Sequence, residues 1–387
     1  MTLVLLEMNQ QRIALLAKKW LPIAHQHERL IAGILFAGIV MATLTAGLWP
    51  FSAPTNDAQW MPGQNGIRFV HYGTALSRGS LKFPSASTTA CTIELRLKPR
   101  ITWTRGTPLA FYDPADRTSF EVRQSYADLQ LVTTSHLGGS DFQERSLQVA
   151  DVFLKPEFLL TITSDRQQTL VYVNGRLVAK SSSLAFSSSD LAGRLILGNS
   201  PVRNRQWAGQ IKGLAVYEEQ LNAATIVTHT TEWMAEGAPL FNSETKPVAF
   251  YSFRDGGGRV IHDAGTWGLD LELPARYVTV DQVRFEGPSS EAHDSNYKDD
   301  AIFNIEGFIP LGFIGALFFS RFSGKGSAAA SVIALGFATS LAIEYFQSFL
   351  PTRFSGTTDL FTNTLGTACG VLACFLVLRL VPKKKLG

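Results

Sequence analysis

Apolar and polar positions divide the chain into four long apolar runs and one long mixed region. The first run, Leu30–Trp49, carries no charged residue. At 1.5 Å per residue it is long enough to cross the roughly 30 Å hydrocarbon core of a bilayer. Three further runs close the chain, at about 302–319, 327–350 and 360–381. The pattern predicts four transmembrane helices, with residues 51–300 inserted between the first and the second.

Basic residues flank the predicted spans on one side of the membrane. They lie before the first span, in the short loop between the second and third spans, and after the last span: Arg12, Lys18, Lys19, Arg29, Arg321, Lys325, Lys383, Lys384 and Lys385. The positive-inside rule then predicts a protein of the cytoplasmic (inner) membrane with both termini cytoplasmic and region 51–300 extracytoplasmic. A cleaved signal peptide is the alternative for the first span, but the long segment before it and the poor cleavage pattern around Leu44 and Ala46 favour an uncleaved anchor.

Short alternating stretches in region 51–300 are typical of half-buried β-strands. Cys91–Leu97 alternates in this way, and Asn174-Gly175 between Thr169–Val173 and Arg176–Ala179 is a strong hairpin signal. Further elements are predicted as strands at Phe158–Thr163, Leu195–Leu197, Gly213–Tyr217 and Ala249–Phe253, and as a helix near Leu221–Trp233. Short strands separated by Gly, Asn and Ser predict an antiparallel sandwich.

The composition fits this mixture and argues against two classes of protein. Of the 387 residues, 45% are hydrophobic and 17% are charged, which suits a water-facing domain joined to a few membrane helices. The net charge of +3, without a Lys/Arg-rich aromatic tract, argues against a nucleic-acid partner. Cys91 is separated from Cys369 and Cys374, which lie in the last apolar run, so neither a disulfide within the sandwich nor a cysteine metal site is expected.

A polar stretch lies between the last two apolar runs. Ionisable groups at membrane depth are costly, so they are normally paired, turned inward and functional. The site candidates in this stretch are Glu344, Gln347, Arg353, Asp359 and Asn363. Glu344 and Gln347 share one helix face, and the spacing from Asp359 through Asn363 to Gly366 and Gly370 follows one stripe of the last helix. Gly366 and Gly370 also form a small-xxx-small surface for helix packing.

Two interpretations of this polar stretch stay open. In one, Glu344, Arg353 and Asp359 form an ion network that fixes the loop against the helices. In the other, the stretch forms a pocket for a polar head group, in which Arg353 binds phosphate or carboxylate with two hydrogen bonds. Asn304 and Glu306 of the second span point roughly 160° apart at 100° per residue, so both cannot face the same pocket. Asn304 is favoured because its face also carries Phe308 and Leu311.

Three motifs in the β region resemble the laminin-G/concanavalin A-like jelly-roll family. They are Val171–Val178, Leu197-Gly198-Asn199 and Trp207–Tyr217. The resemblance implies a multidomain chain in which an antiparallel β-sandwich (jelly roll) is inserted into an α-helical membrane bundle of four transmembrane helices. It also implies binding of a glycan or a protein, with four aromatic candidates for sugar stacking: Trp60, Trp103, Trp207 and Trp267. A core position is the alternative for each, since large aromatic side chains dominate sandwich cores.

Catalysis and cofactor binding by the sandwich find little support in the sequence. Hydrolysis of β-glucans needs two carboxylates flanking the scissile bond, and no Glu-x-Asp-x-x-Glu pattern is present. Glu218 and Glu219 are adjacent and would face opposite sides of a strand. No cofactor is predicted, and calcium in the loops stays an alternative without a ligand pattern to support it.

The C-terminal spans resemble the VanZ-like family of membrane proteins. The resemblance covers Asp300 to about Leu380, together with the first span. It rests on Asn304–Gly312 and on an ordered pattern: Glu344-x-x-Gln347, Arg353, Asp359-x-x-x-Asn363 and Gly366-x-x-x-Gly370. The family is named after resistance to the glycopeptide antibiotic teicoplanin, and the resemblance implies no settled biochemical activity. The inserted sandwich departs from the short form of the family, so a dedicated resistance role is not expected.

Together these features predict five segments and three functional hypotheses. The segments are a cytoplasmic N-terminal segment (1–29), a transmembrane helix (30–50), the sandwich (51–300), the VanZ-like bundle (301–382) and a basic tail (383–387). The first hypothesis is a non-enzymatic cell-envelope protein whose sandwich binds an extracytoplasmic polysaccharide or protein and whose bundle binds membrane lipid or lipid-linked glycan. The second is an enzyme acting on lipid-linked glycan or phospholipid head groups, with Glu344 or Asp359 as acid/base and Arg353 on the phosphate. The third is a scaffold that the bundle only anchors.

Overall fold

The structure is a computed structural model that describes residues 29–81, 90–138, 141–202, 205–239, 246–282, 285, 297–353 and 355–380. The basic residues predicted to flank the first and last spans (Arg12, Lys18, Lys19, Lys383, Lys384 and Lys385) lie outside the described residues. The chain divides into two compact units. Residues 53–282 form one unit, and residues 1–52 with 283–387 form the other.

Four apolar helices make up the helical unit. Their bounds are α1 Arg29–Leu48, α3 Tyr297–Phe319, α4 Lys325–Gln347 and α5 Thr357–Leu380, with α2 belonging to the other unit. Each is long and apolar enough to cross a bilayer. The four predicted spans are therefore present, and the protein is an integral membrane protein.

Sixteen described strands form two antiparallel sheets in the other unit. The strands are β1 Gln59–Trp60, β2 Ile67–Phe69, β3 Ala75–Ser77, β4 Cys91–Pro99, β5 Arg105–Asp113, β6 Thr118–Ser125, β7 Asp128–Gly138, β8 Asp141–Val149, β9 Phe158–Ser164, β10 Thr169–Val173, β11 Arg176–Ser181, β12 Arg194–Leu197, β13 Gly209–Tyr217, β14 Ala249–Tyr251, β15 Val260–Ile261 and β16 Leu271–Glu272. The first sheet has the order β1-β2-β13-β4-β9-β10-β11, with β14 pairing to β13. The second has the order β15-β16-β3-β12-β5-β6-β7-β8. The predicted fold class is confirmed.

The core lies between the inner faces of the two sheets. Alternation places every second side chain of a strand on this side, as with Ile93, Leu95 and Leu97 of β4. Phe111 of β5 and Phe120 of β6 face them from the second sheet, and all five side chains are fully buried. Burial of this kind of apolar surface, at about 25 cal/mol per Å², is the main force that holds the sheets together.

Helix α2 (Ala223–Glu236) covers the outer face of the first sheet. Asn222 caps its N-terminus by accepting a hydrogen bond from the Thr225 N–H at 3.0 Å, and Gly237 ends it in a left-handed conformation. Ile226 and Trp233 form the buried side of the helix. The predicted helix near 221–233 is present, shifted by a few residues.

The strand predicted at Ala249–Phe253 is present in shorter form. The structure shows that Ala249–Tyr251 pairs antiparallel with β13, so the segment extends the first sheet. The Asn174-Gly175 hairpin is also present, with Gly175 in the left-handed region at φ +76°.

Candidate functional site

Buried polar side chains run along the facing sides of two transmembrane helices. We call this set the polar stripe: Ser340, Glu344 and Gln347 on α4, with Asn363 and Thr367 on α5. All five are buried, and the exposed fraction is only 1% for Glu344 and 3% for Asn363. Spacings of three and four residues place each set on one helix face, where it meets the other set inside the bundle.

Two amide side chains join the three C-terminal helices. Asn304 on α3 donates from Nδ2 to Oδ1 of Asp359 on α5 at 2.7 Å. Asn363 donates from Nδ2 to Oγ of Ser340 on α4 at 3.0 Å. The Oδ1 atom of Asn363 is buried and accepts no hydrogen bond within the described part of the chain. Glu306, two residues after Asn304, is exposed.

Three other predicted site residues form hydrogen bonds with backbone groups at the end of α1 and in the loop before α5. Oε2 of Glu344 accepts the Gly356 N–H at 3.0 Å, which fixes the loop before α5. Gln347 donates from Nε2 to the Gly47 carbonyl at 2.7 Å, near the end of α1. Arg353 donates from Nη2 to the Trp49 carbonyl just beyond that end. These contacts tie the loop before α5 and the end of α1 to α4 and the residues that follow it.

Gly366 and Gly370 lie where α5 meets α3. A Cβ atom on Gly366 would sit 2.2 Å from the Ile305 carbonyl oxygen, and one on Gly370 would sit 2.1 Å from that of Ile309. Sequence reasoning missed that α3 contributes Gly312, where a Cβ would lie 2.0 Å from the Thr367 oxygen. The backbones therefore approach more closely than any side chain allows.

The four candidate tryptophans have different environments. Trp207 is fully buried and donates from Nε1 to Oε1 of Gln124 at 2.8 Å, so its proposed role in sugar stacking is wrong. The large ring fills the core at the end of the sandwich, where the indole N–H finds a buried acceptor. Trp60 and Trp267 are half-buried and pack against the core, and Trp60 donates to the Gly258 carbonyl at 2.8 Å. Trp103 is 75% exposed.

A buried carboxylate beneath α2 escaped the sequence analysis. Glu94 is fully buried on the outer face of β4 and accepts from Tyr217 Oη at 3.0 Å and Trp233 Nε1 at 2.8 Å. His229 Nδ1 lies 3.0 Å from its other oxygen. Burial of His229 disfavours its charged form, but the hydrogen bond and charge of Glu94 outweigh this and raise the His229 pKa. The sequence shows only an acidic residue within a predicted strand. The three partners of Glu94 lie more than a hundred positions away from it along the chain, so a single sequence does not reveal that they meet.

A second buried ion pair lies on the outer face of the second sheet. Arg123 donates to both oxygens of Glu121 at 2.9 and 3.0 Å, and Thr107 donates to the same carboxylate at 3.2 Å. Burial alone would raise the Glu121 pKa, yet the Arg123 charge holds this pKa below its usual range. The arrangement is a satisfied pair, so it supports the sheet rather than marking a site.

Metal binding has no ligand cluster in the described residues, where no group of three or more His, Cys, Asp or Glu side chains could hold an ion.

Two family models match the chain. VanZ/LLP1 matches residues 264–378, and the concanavalin A-like lectin/glucanases superfamily matches residues 73–227. Both resemblances seen in the sequence are thereby confirmed. The VanZ/LLP1 match begins before the helices, within the last part of the β unit. No curated protein matches the chain.

Several solved structures share part of the fold at low identity. A putative carbohydrate-binding protein from Bacteroides ovatus is 15% identical, with a TM-score of 0.34 over 55% of this chain and 63% of that one. The CBM40 of the Ruminococcus gnavus IT-sialidase, bound to α2,3-sialyllactose, is 18% identical, with a TM-score of 0.32 over 43% and 97%. A SAP-like pentraxin from Limulus polyphemus is 14% identical, with a TM-score of 0.30 over 46% and 80%.

Proposed function

We propose that the polar stripe binds the polar head group of a membrane lipid or lipid-linked glycan, in a protein whose termini are cytoplasmic and whose sandwich is extracytoplasmic. The observation that carries the proposal is the buried Oδ1 atom of Asn363, which accepts no hydrogen bond within the described residues. Leaving a buried acceptor without a donor costs about 1–3 kcal/mol. A hydroxyl or amine of a head group would supply that donor.

The surroundings of Asn363 support a polar rather than an apolar ligand. Asp359 lies one helical turn before Asn363 and is held by Asn304. Asp359 is also in the first turn of α5, where the helix dipole stabilises a negative charge. A head group rich in hydroxyl or amino donors would match these acceptors. Glu344 contacts the Gly356 N–H, a positioning role that favours binding over catalysis.

Native mass spectrometry of the full-length protein, purified in mild detergent, tests the proposal. The wild-type protein should retain a lipid-sized ligand, and Asn363→Leu and Asp359→Asn should each lower its occupancy at least ten-fold. Ten-fold corresponds to about 1.4 kcal/mol, the scale of one good hydrogen bond. The matched control is Glu306→Gln, the same kind of change on the exposed side of α3, and it should retain wild-type occupancy. Equal occupancy in Asp359→Asn and Glu306→Gln would reject the proposed site.

A second candidate function, glycan binding by the sandwich, is supported by the match of residues 73–227 to a lectin-containing superfamily. Among the three remaining candidate tryptophans, Trp60 and Trp267 keep part of their rings accessible at the edge of the core, and Trp103 is exposed. Stacking of an aromatic ring on a sugar face would use one of these side chains.

Binding of soluble polysaccharides to the full-length protein in nanodiscs tests this candidate. Trp60→Ala, Trp103→Ala and Trp267→Ala identify the ring involved, and a loss of about ten-fold in affinity is expected for that one. Circular dichroism of each variant separates lost binding from lost fold. No binding of any polysaccharide by the folded wild-type protein would exclude glycan recognition by the tested classes.

A further inference from the structure

One end of the sandwich carries apolar side chains that project into solvent. We call them the apolar tip, and they are Ile101, Trp103, Tyr126 and Leu154, exposed by 46%, 75%, 44% and 53%. Their loops lie together. The ring centroids of Trp103 and Tyr126 are 6.5 Å apart, and the Tyr126 N–H donates to the Thr104 carbonyl at 2.8 Å. The Phe153 N–H donates to the Ala127 carbonyl at 2.8 Å, which brings the loop of Leu154 to the same turn.

The apolar tip is held in place by a buried amide. Gln124 is 1% exposed and donates from Nε2 to the carbonyls of Ile101, Thr102 and Tyr126 at 2.8, 3.1 and 3.0 Å. Its Oε1 atom accepts the indole N–H of Trp207 at 2.8 Å. Both N–H bonds of the Gln124 amide nitrogen are thus used in hydrogen bonds that fix the loops. The exposure of the tip is therefore built into the fold.

Charged side chains of both signs border the tip. Lys98, Arg100, Arg105 and Lys155 are exposed around it. The guanidinium of Arg105 lies 4.9 Å from the ring centre of Tyr126. Asp128 and Asp151 lie at the same turn, where Asp128 accepts the Asp151 N–H at 3.0 Å. Basic residues outnumber acidic ones, and the combination of Trp, Tyr and basic side chains is typical of the membrane–water interface.

The tip lies at the end of the sandwich where β2 and β4 finish and β13 begins. The register aligns Gly209 of β13 with both Phe69 of β2 and Pro99 of β4. The loop after Pro99 leads directly into the tip, and the Arg100 N–H donates to the Ala208 carbonyl at 3.1 Å. The loops after β2 and β4 are therefore at the same end.

The chain also enters and leaves the sandwich at this end. The Asp57 N–H donates to the carbonyl of Tyr72, in the loop after β2, at 3.2 Å. The Tyr277 N–H donates to the Pro54 carbonyl at 2.9 Å, and the rings of Tyr72 and Tyr277 are 5.5 Å apart. Residues 49–52 link the last residue of α1 to the first residue of the sandwich.

We propose that the apolar tip inserts into the interfacial region of the lipid bilayer. This end of the sandwich is the end that is covalently linked to the apolar helix α1, and the exposed rings and aliphatic chains match the boundary between head groups and acyl chains. A lipid surface fits the tip better than a soluble sugar does. Ile101 and Leu154 offer no hydrogen bonds, whereas sugar sites surround a stacking ring with polar groups.

Spin-label accessibility in the full-length protein tests the insertion. A nitroxide is attached at Ile101→Cys, and separately at Leu154→Cys, in a Cys369→Ala background, because Cys91 and Cys374 are buried. The reference label is at Gln167→Cys, an exposed position in the turn after β9, whose last residue Ser164 pairs with Cys91 at the opposite end of β4. The protein is placed in nanodiscs of phosphatidylcholine and phosphatidylglycerol.

The ratio of collision rates with oxygen and with a water-soluble nickel chelate should be at least three-fold higher at positions 101 and 154 than at position 167. Equal ratios at all three positions would overturn the proposal. Shielding of the 101 label from both reagents by added chitohexaose or maltohexaose, without preference for oxygen, would also overturn it and assign the tip to sugar binding.

Discussion

Glu94 shows how one buried carboxylate joins a helix to a sheet. Its Oε2 atom accepts hydrogen bonds from both Tyr217 on β13 and Trp233 on α2, and its Oε1 atom lies 3.0 Å from His229 Nδ1 on α2. A buried carboxylate without such partners would be strongly destabilising. Since α2 supplies two of the three partners, docking of the helix and stability of the charge depend on each other.

His229 therefore gives the sandwich a pH dependence of defined sign. Its folded pKa is raised above the unfolded value of about 6.5, so the stabilisation is complete below that value and is lost as pH rises through the folded pKa. Thermal unfolding of the full-length protein, followed by the β signal in circular dichroism, should show a midpoint that falls between about pH 6 and pH 9. His229→Gln should flatten this dependence and lower the stability at pH 6 by about 1–3 kcal/mol.

The matched control for this prediction is His262→Gln. His262 also contacts a carboxylate, with Nδ1 2.5 Å from Asp255 Oδ1, but its side chain is 68% exposed. Exposed pairs contribute little to folding, so this variant should keep the wild-type pH dependence. An equal effect of both substitutions would show that the Glu94–His229 contact has no special role.

At the scale of elements, the crossing of α3 and α5 determines how the bundle packs. Gly366 and Gly370 of α5 and Gly312 of α3 bring the two backbones into direct contact. Lipid provides no hydrophobic force between helices, so association depends on this close packing and on hydrogen bonds such as that from Asn304 to Asp359. The polar stripe keeps its geometry only if this crossing is kept.

Gly366→Ala should destabilise the bundle, because its Cβ atom would lie 2.2 Å from the Ile305 oxygen. Overpacking of this kind costs about 1–3 kcal/mol. The loss should appear as a lower melting temperature of the detergent-solubilised protein in fluorescence-detected size exclusion. Gly307→Ala on α3 is the control, since no atom lies within 4 Å of its Cβ position. If Gly307→Ala lowered the melting temperature as much as Gly366→Ala, the close crossing would be refuted.

Elements differed in how well the sequence predicted them. Long apolar runs and the Asn-Gly hairpin have local signals, so the transmembrane helices and β10–β11 were predicted to within a few residues. Strands β5–β8 were not delimited in advance. The edge strand β8 (Asp141–Val149) has little apolar alternation because much of it faces water. Its place depends on its pairing with β7, which local patterns do not encode.

The residues of the candidate site also differ in how well the sequence predicted their positions. The sequence favoured Asn304 over Glu306 because its helix face also carries Phe308 and Leu311. In the structure Asn304 contacts Asp359 of the last helix, and Glu306 is exposed. The contacts of Gln347 and Arg353 with carbonyls at the end of α1 could not be foreseen, since they join residues about three hundred positions apart. The burial of Trp207 depended likewise on Gln124, a partner in another strand.

At the scale of the whole molecule, the sandwich is an insertion between α1 and the other three apolar helices. One helical crossing, that of α4, then separates the turn between α3 and α4 from the loop before α5. The sandwich follows α1 in the chain. The orientation of the helices in the membrane therefore determines on which side the sandwich, the α3–α4 turn and the loop before α5 each lie. The basic residues Arg321 and Lys325 near the α3–α4 turn favour a cytoplasmic location for it.

Cysteine labelling in intact cells tests this orientation. In a Cys369→Ala background, Gln167→Cys in the sandwich should react with a membrane-impermeant maleimide added outside the cytoplasmic membrane. Lys325→Cys at the α3–α4 turn should react only after that membrane is permeabilised. Labelling of Lys325→Cys in intact cells, with protection of Gln167→Cys, would reverse the proposed topology.

The central claim is that the polar stripe receives a polar head group. The most direct measurement is an experimental density map of the full-length protein in nanodiscs prepared from its native membrane lipids. The account predicts non-protein density between α3, α4 and α5, with a polar atom within hydrogen-bond distance of Asn363 Oδ1 and close to Asp359. A well-resolved map in which protein side chains alone satisfy Asn363, with no density at the stripe, would contradict it.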